Sequence, residues 1–243
     1  MAHPDDEVLG CGALLSRLRD VRVIHVTDGA PRDGVDAARH GFASPAGYAD
    51  RRRQEALAAL ALAGVPPGRV IGLRVADQGA AEAMAATVRQ LVPLLAGAEL
   101  LLTHSFEGGH PDHDAVAFVA RAACGLLGGA APAIAEMPFY FGDDAGWVRQ
   151  CFLPHPDAGP TLAITLDEDA RALKTRMAAA HATQGDVLAG FTGDVERFRA
   201  APAHDFTRRP HEGPLLYERH GWGLTWAGWL AHVHAADAAL RNP

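Results

Sequence analysis

The chain has 243 residues, of which 49% are hydrophobic, and its formal net charge is −7 at pH 7. This length fits one α/β domain over residues 1–243 with a substantial buried core, and an acidic chain without a basic patch argues against a nucleic-acid partner. There is no apolar run of about 18 residues and no charged-then-apolar leader, so we predict a cytoplasmic protein without a membrane span.

Three adjacent acids follow a His-Pro pair at the start of the chain, where residues 2–7 read Ala-His-Pro-Asp-Asp-Glu. The apolar residues that follow recur at helical spacing, which predicts a helix that begins near Asp6. Acids are favourable in a first helical turn because they complement the helix dipole. Taken alone, the turn has this ordinary structural explanation.

The rest of the chain alternates between predicted strands and predicted helices. The strands, rich in β-branched residues, are predicted at 21–27, 70–75, 99–103, 133–137 and 161–166. The helices are predicted at 48–63, 81–95, 113–127 and 167–182. This alternation predicts a Rossmann-like, doubly wound, mostly parallel sheet with helices on both faces, in which ligands bind beyond the carboxyl ends of the strands. Residues 28–47 are predicted to form a long loop and residues 139–141 an irregular segment, and no element is predicted from residue 186 onward.

A second His-Pro-Asp turn, His-Pro-Asp-His at residues 110–113, follows the strand predicted at 99–103. The two turns together resemble the signature of the LmbE/PIG-L family, the metal-dependent sugar de-N-acetylases. A third His-Pro-Asp copy begins at His155, but Ala158 and Gly159 follow it where an acid or histidine is needed. We therefore predict a surface turn there.

The resemblance implies an LmbE-like fold and a hydrolase that removes the acetyl group from an N-acetylated amino sugar, such as an N-acetylglucosamine glycoside or conjugate. It implies one zinc ion per chain, with Fe²⁺ as the alternative, and the metal ligands His3, Asp6 and His113. Catalytic zinc sites use three histidine or carboxylate ligands and keep one position open, and these residues supply such a set.

The same resemblance assigns the catalytic roles. Asp5 is the general base that takes a proton from the attacking water, and His110 stabilises the oxyanion while Asp112 holds it in one tautomer. Asp5 and His110 both remain candidates for protonating the departing amine.

Two further residues are implied to bind substrate. Arg52 and Glu55 match the family's Arg-x-x-Glu block, and Asp77 follows a predicted strand where a family acid contacts substrate hydroxyls. The alternative for the Arg-rich start of this helix is a solvated charged face. We predict that Arg52 and Asp77 contact the sugar.

The sequence departs from the family pattern at two places. Family members carry an apolar strand before the first turn, whereas only Met1 precedes it here, so we predict that the first strand is missing from the numbered chain. Some relatives have a tyrosine at the position of Gly108. The oligomeric state stays open, and the three cysteines, Cys11, Cys124 and Cys151, are predicted to be reduced and buried.

Other functions remain as alternatives. A related metal-dependent hydrolase could act on a non-sugar amide or an ester, and a non-catalytic metal-binding scaffold would carry the same ligands. A nucleotide-binding module is a different class, but the Gly10-Cys11-Gly12 segment lacks a third glycine and a preceding strand. A serine hydrolase is disfavoured because no serine lies in a Gly-x-Ser-x-Gly motif.

Overall fold

A computed structural model describes residues 1–241 of the chain. The helices are α1 (Asp6–Leu15), α2 (Val35–Arg39), α3 (Pro45–Leu62), α4 (Met84–Leu94), α5 (Pro111–Leu127), α6 (Glu168–Ala180), α7 (Gly185–Leu188), α8 (Leu216–Arg219) and α9 (Trp226–Arg241). The strands are β1 (Val23–Pro31), β2 (Val70–Asp77), β3 (Leu100–His104), β4 (Ala133–Met137), β5 (Tyr140–Asp143), β6 (Gly146–Arg149), β7 (Leu162–Thr165) and β8 (Val195–Ala200). The predicted α/β class is confirmed. None of the helices in the described part combines the length and apolar character that a membrane crossing requires.

The chain divides into two compact units. Unit 1 contains Met1–Asp77 and Ala163–Arg197, and unit 2 contains Gln78–Leu162 and the chain from Phe198 onward. Each unit carries part of the predicted site, so each is described separately. The single domain expected from the sequence stays a prediction.

Unit 1 is built on the parallel pair β1 and β2, whose register starts at Val23 opposite Val70. The first residues of the chain lie along β1. The Met1 amino group donates to Ile24 O (2.8 Å), and Thr27 N donates to Ala2 O (2.8 Å). These bonds fix the start of residues 2–7, the first turn, against the first half of β1.

Helices cover the β1 and β2 pair in unit 1. α3 packs on β1, and α6 packs against both α1 and α3. α3 starts with Ser44 as its N-cap, whose hydroxyl accepts from Gly47 N, and with Pro45 in its first turn. The predicted loop at 28–47 was wrong in part, because β1 extends to Pro31 and the short helix α2 follows.

Unit 2 contains the parallel pair β3 and β4, which are in register from Leu100 opposite Ala133 to His104 opposite Met137. The last part of β8 pairs antiparallel with β4. α5 packs on β3 and α4, and α9 packs on α4. Trp229 of α9 is fully buried and its indole N–H donates to Phe206 O (2.9 Å).

Several predictions for unit 2 need correction. Its sheet is mixed, with a parallel β3–β4 pair and an antiparallel β4–β8 pair, and the predicted doubly wound, mostly parallel sheet stays a prediction. Of residues 139–141, Tyr140 and Phe141 are not irregular, because they belong to β5, which forms an antiparallel hairpin with β6. The carboxylate of Asp143 accepts from Ala145 N and Gly146 N at 2.9 Å, which stabilises the turn between these strands. Residues after 186 form β8, α8 and α9, and Cys151 is exposed rather than buried, while Cys11 and Cys124 are buried as predicted.

Candidate catalytic site

The first turn in unit 1 has an unusual backbone. Asp5 precedes α1 with φ 148° and ψ −23°, a conformation that costs about 1–3 kcal/mol for a residue with a side chain. The turn is closed by local hydrogen bonds, since His3 N donates to the Asp6 carboxylate (2.7 Å) and Val8 N donates to Asp5 O (2.9 Å). The acids of the motif therefore have fixed directions before any ligand binds.

Arg52 stabilises this turn through hydrogen bonds. Its guanidinium is buried, and it donates to Asp5 Oδ2 (2.8 Å), Pro4 O (3.0 Å) and Gly29 O (2.6 Å). Gly29 has φ 68°, and a Cβ at this position would overlap the Arg52 guanidinium. These three hydrogen bonds of Arg52 are directed at unit 1 itself, and its predicted contact with substrate stays a prediction.

The ionisation of Asp5 is set by two opposing effects. Burial raises the pKa of its carboxyl group to about 7, even though the Arg52 guanidinium acts to lower it. A carboxyl group with a pKa near the working pH is suited to taking up and releasing a proton. A divalent cation beside it would favour the ionised form.

Asp6 and Asp77 both lie beside His3 in unit 1. His3 Nδ1 is 3.4 Å from Asp6 Oδ2, and His3 Nε2 is 3.4 Å from Asp77 Oδ1. Zinc and ferrous iron bind imidazole nitrogen and carboxylate oxygen, so this set of ligand atoms, with His3 and Asp6 buried and Asp77 partly buried, fits a divalent ion. The proximity of Asp77 to His3 was not predicted; the only sequence signal was that Asp77 follows a predicted strand, where ligands bind in such a sheet.

A second buried pair of ionisable side chains involves Glu7, the last residue of the first turn. His25 Nε2 is 2.8 Å from Glu7 Oε2, and both side chains are almost fully buried. Burial alone would raise the pKa of Glu7, but the His25 ring lowers it below its ordinary value. Sequence analysis assigned no role to His25, which is an inward-facing residue of β1.

The second turn, residues 110–113, begins α5 in unit 2. His110 is the N-cap residue, and its Nδ1 accepts from Asp112 N (3.2 Å). A neutral ring that accepts at Nδ1 carries its proton on Nε2. The hydrogen bond that selects this tautomer therefore comes from the main chain of Asp112.

The Asp112 carboxylate has main-chain partners of its own. It accepts from Gln78 N (2.6 Å) and from Ala80 N (3.0 Å). This side chain ties the first turn of α5 to the segment that follows β2. Asp112 thus fixes the position of the helix start as well as the His110 ring.

The His113 ring lies in a layer of aromatic side chains. It stacks on His104 with centroids 4.1 Å apart, and Phe139 and Tyr140 lie 5.0 and 5.4 Å away. The His110 ring is 5.3 Å from it. His104, the last residue of β3, was not predicted as a site residue, although the second turn follows this strand.

Two buried acids shape the segment before the second turn. Glu107 accepts from Phe139 N and Tyr140 N, and Asp114 accepts from Glu107 N and Gly108 N. Burial raises the pKa of Glu107 well above its ordinary value and that of Asp114 to about 7. These contacts position residues 107–109 ahead of His110.

Comparison with known proteins identifies the family. Residues 1–124 match the profile described as PIG-L, GlcNAc-PI de-N-acetylase, which is just over half of the 243 residues. The chain therefore belongs to the PIG-L (LmbE-like) family, and the predicted family is confirmed. Membership supports deacetylase chemistry as the class of function. No curated protein matches the chain.

Solved structures of deacetylases have a similar fold. The A40926 pseudoaglycone deacetylase is 23% identical with a TM-score of 0.64, over 84% of this chain and 97% of that chain. A zinc-inhibited form of teicoplanin deacetylase is 15% identical with a TM-score of 0.61, over 84% and 98%. N,N'-diacetylchitobiose deacetylase from Pyrococcus horikoshii is 21% identical with a TM-score of 0.54, over 82% and 81%. At these identities the similarity shows the fold alone.

Proposed function

We propose that the protein is a metal-dependent de-N-acetylase that removes the acetyl group of an N-acetylated amino sugar, an N-acetylglucosamine-type glycoside or conjugate. The observation that carries the proposal is the first turn of unit 1, where the buried Asp5 carboxyl adjoins the candidate ligands His3 and Asp6. Family membership supplies the reaction class, and the complete second turn supports the same conclusion.

We assign one zinc or ferrous ion per chain to His3, Asp6 and His113. This assignment rests on the two sequence motifs and on the buried nitrogen and oxygen donors present in each unit. When bound, such an ion lowers the pKa of a water toward about 7 and polarises a carbonyl group. Asp77, beside His3, is placed to orient that imidazole or to meet the substrate.

Asp5 is assigned as the general base. Its Oδ2 accepts from Arg52. We therefore assign the other carboxylate oxygen, Oδ1, as the atom that takes the proton from the attacking water. Arg52 keeps the carboxyl in place while the proton moves. We therefore give Arg52 a positioning role ahead of the predicted contact with the sugar.

His110 is assigned to the oxyanion of the amide carbonyl. Because Nδ1 accepts from Asp112 N, the proton on Nε2 is available to the developing negative charge. Departure of the sugar amine then requires a proton from Asp5 Oδ1 or from His110 Nε2. The free amine and acetate are the products.

Acetate release from metal-replete protein tests the proposal directly. We expect release from N-acetylglucosamine glycosides and little or none from N-acetylated amino acids, since a site that bonds hydroxyls discriminates strongly against analogues without them. Elemental analysis should find about one zinc or iron per chain. Efficient cleavage of N-acetylated amino acids with no cleavage of any N-acetylhexosamine conjugate would overturn the substrate assignment.

A further inference from the structure

A cluster of aromatic rings extends from the candidate histidines of unit 2 to its surface. Four residues form this platform: Tyr140, Trp147, His220 and Trp222. Centroid distances are 5.1 Å for Tyr140 and Trp147, 5.3 Å for Trp147 and His220, and 5.1 Å for the stacked rings of His220 and Trp222. Two come from the β5–β6 hairpin and two from the segment after α8.

The platform contacts the predicted catalytic ring of His110 and the predicted metal ligand His113, both in the same unit. Trp222 lies 5.2 Å from His110, and Tyr140 lies 5.4 Å from His113, measured between ring centroids. Trp147 adjoins both Tyr140 and Trp222. The platform is therefore the continuation of the His110 and His113 rings toward solvent.

The platform differs from the core tryptophan, Trp229, in its exposure to solvent. Trp229 is 0% exposed and packs inside unit 2, whereas Trp147 is 36% exposed. The guanidinium of Arg149 lies 4.9 Å from the Trp147 ring centroid. A partly exposed aromatic side chain next to candidate catalytic groups keeps ring surface available, and such rings are suited to ligand contact.

The hairpin that carries Tyr140 and Trp147 is held firmly at its base. Tyr140 N donates to Glu107 (3.1 Å), and the absence of a side chain at Gly109 allows Tyr140 O to approach that residue closely. Arg219 donates to Asp143 O (3.3 Å) at the other end of β5. The rings are thus presented by a fixed backbone, which lowers the entropy lost on binding.

We propose that this platform is a stacking subsite for a second ring of the substrate, the pyranose or aryl ring joined to the N-acetylated amino sugar. Aromatic faces are electron-rich and attract the C–H face of a sugar or the edge of another ring. The inference rests on the proposed function, because it assigns the part of the conjugate beyond the reacting sugar. It predicts a preference for two-ring substrates over the free monosaccharide.

Trp147→Ala tests the subsite, since this side chain lies outside the assigned catalytic machinery and is partly exposed. We expect kcat/KM to fall about 3- to 10-fold for N,N'-diacetylchitobiose or for 4-nitrophenyl N-acetylglucosaminide, the loss of one ring contact. For free N-acetylglucosamine the change should stay within about twofold. Comparison of the disaccharide with the aryl glycoside shows which type of ring the platform prefers. Trp147→Phe should recover part of the lost kcat/KM.

Trp226→Ala is the matched control. Trp226 starts α9 and contacts Arg209 rather than the platform, so it should leave the ratio of the two kcat/KM values unchanged. Equal effects of Trp147→Ala on one-ring and two-ring substrates, or no effect on either, would overturn the subsite while leaving the deacetylase proposal in place.

If the wild-type protein cleaves no N-acetylhexosamine, the proposed function fails. The stacking subsite is then tested by measuring ligand binding instead of catalysis. Calorimetric titration with N,N'-diacetylchitobiose then compares the wild type with Trp147→Ala. A Kd that rises about 3- to 10-fold in the variant supports the subsite without catalysis. Absent binding, or an unchanged Kd, overturns it.

Discussion

The acids of the first turn in unit 1 are held by buried ionisable side chains, whereas the histidines of the second turn in unit 2 are held by main-chain N–H groups and stacked rings. Asp5 pairs with Arg52 and Glu7 with His25. By contrast, the Asp112 carboxylate bonds main-chain N–H groups, and His113 stacks on His104.

The two kinds of support respond differently to change. Removing one member of a buried ion pair leaves an uncompensated charge, at a cost of about 3–5 kcal/mol. Removing one ring from a stack costs about 0.5–1.5 kcal/mol beyond the area it buries. Unit 1 should therefore be sensitive at single charged residues, while the supports of unit 2 are spread over many contacts.

Asp5→Asn should give the largest effect. The amide keeps the shape of the side chain but cannot take up the proton, so kcat/KM for acetate release should fall by about 10² to 10⁴. Metal content, measured by elemental analysis, should stay the same. Asp50→Asn, an exposed acid on α3, is the control. An Asp5→Asn enzyme near the wild-type rate would move the base to another residue.

Arg52→Ala tests how strongly unit 1 depends on one charge. The variant loses donors to three oxygen atoms and leaves the Asp5 carboxyl buried without its partner. We expect the free energy of unfolding, measured in urea, to fall by about 3–5 kcal/mol, with kcat reduced more than KM is raised if Arg52 positions Asp5.

Arg53→Ala provides the comparison on the same helix. Among the described residues Arg53 forms no ion pair, so its removal should change stability by no more than about 0.5 kcal/mol. Similar losses for both variants would mean that the Arg52 contacts add no stability. A pure rise in KM for Arg52→Ala would favour the contact with substrate.

Glu107 should make the stability of unit 2 depend on pH. Because burial raises its pKa, the folded chain keeps a proton that the unfolded chain has lost. This contribution is fully present below about pH 4.3 and is lost as pH rises toward the folded pKa, with a slope of up to about 1.4 kcal/mol per pH unit. Asp114, with its pKa raised to about 7, changes stability in the same direction.

Urea unfolding at several pH values between 5 and 8 measures this slope. Glu107→Gln cannot ionise, so its free energy of unfolding should decline less with pH than that of the wild type. Glu212→Gln, at an exposed site in the same unit, should keep the wild-type slope. A Glu107→Gln slope equal to that of the wild type would show that Glu107 is ionised in the folded protein.

A pair of glycine substitutions gives the smallest effects. A Cβ at Gly109 would clash with Tyr140 O, so Gly109→Ala should destabilise the protein by about 1–3 kcal/mol. Gly125 lies within α5 with nothing near its missing Cβ, and Gly125→Ala should stabilise it by about 0.5–1 kcal/mol. Thermal unfolding measures both. A neutral Gly109→Ala would show that the second turn tolerates movement of the hairpin.

Strongly periodic segments were predictable from the sequence, while segments defined by distant partners were not. The strand predicted at 133–137 has those bounds in β4, and α1 begins at Asp6 as predicted. The β5–β6 hairpin was missed because its strands have only four residues each and lack clear alternation. Its position depends on main-chain bonds to Glu107, a residue more than thirty positions away.

The same limit applies to the candidate site. Motifs identified His3, Asp5, Asp6 and the second turn, because their residue types and spacing are local. The stack of His104 on His113 and the proximity of Asp77 to His3 arise only when strands are arranged in space. The direction of Arg52 could not be read from an Arg-rich helix start, since three adjacent arginines share the same local pattern.

At position 5, selection for stability and selection for activity favour different residues, because Asp5 has a strained backbone conformation. With φ 148°, this residue occupies a region that glycine adopts freely, so glycine there would relieve the strain and remove the proposed base at once. A laboratory selection that rewards only thermal resistance would be expected to enrich such inactive chains. Engineering of a more thermostable variant should therefore leave Asp5 unchanged and place stabilising substitutions on surfaces away from the first turn.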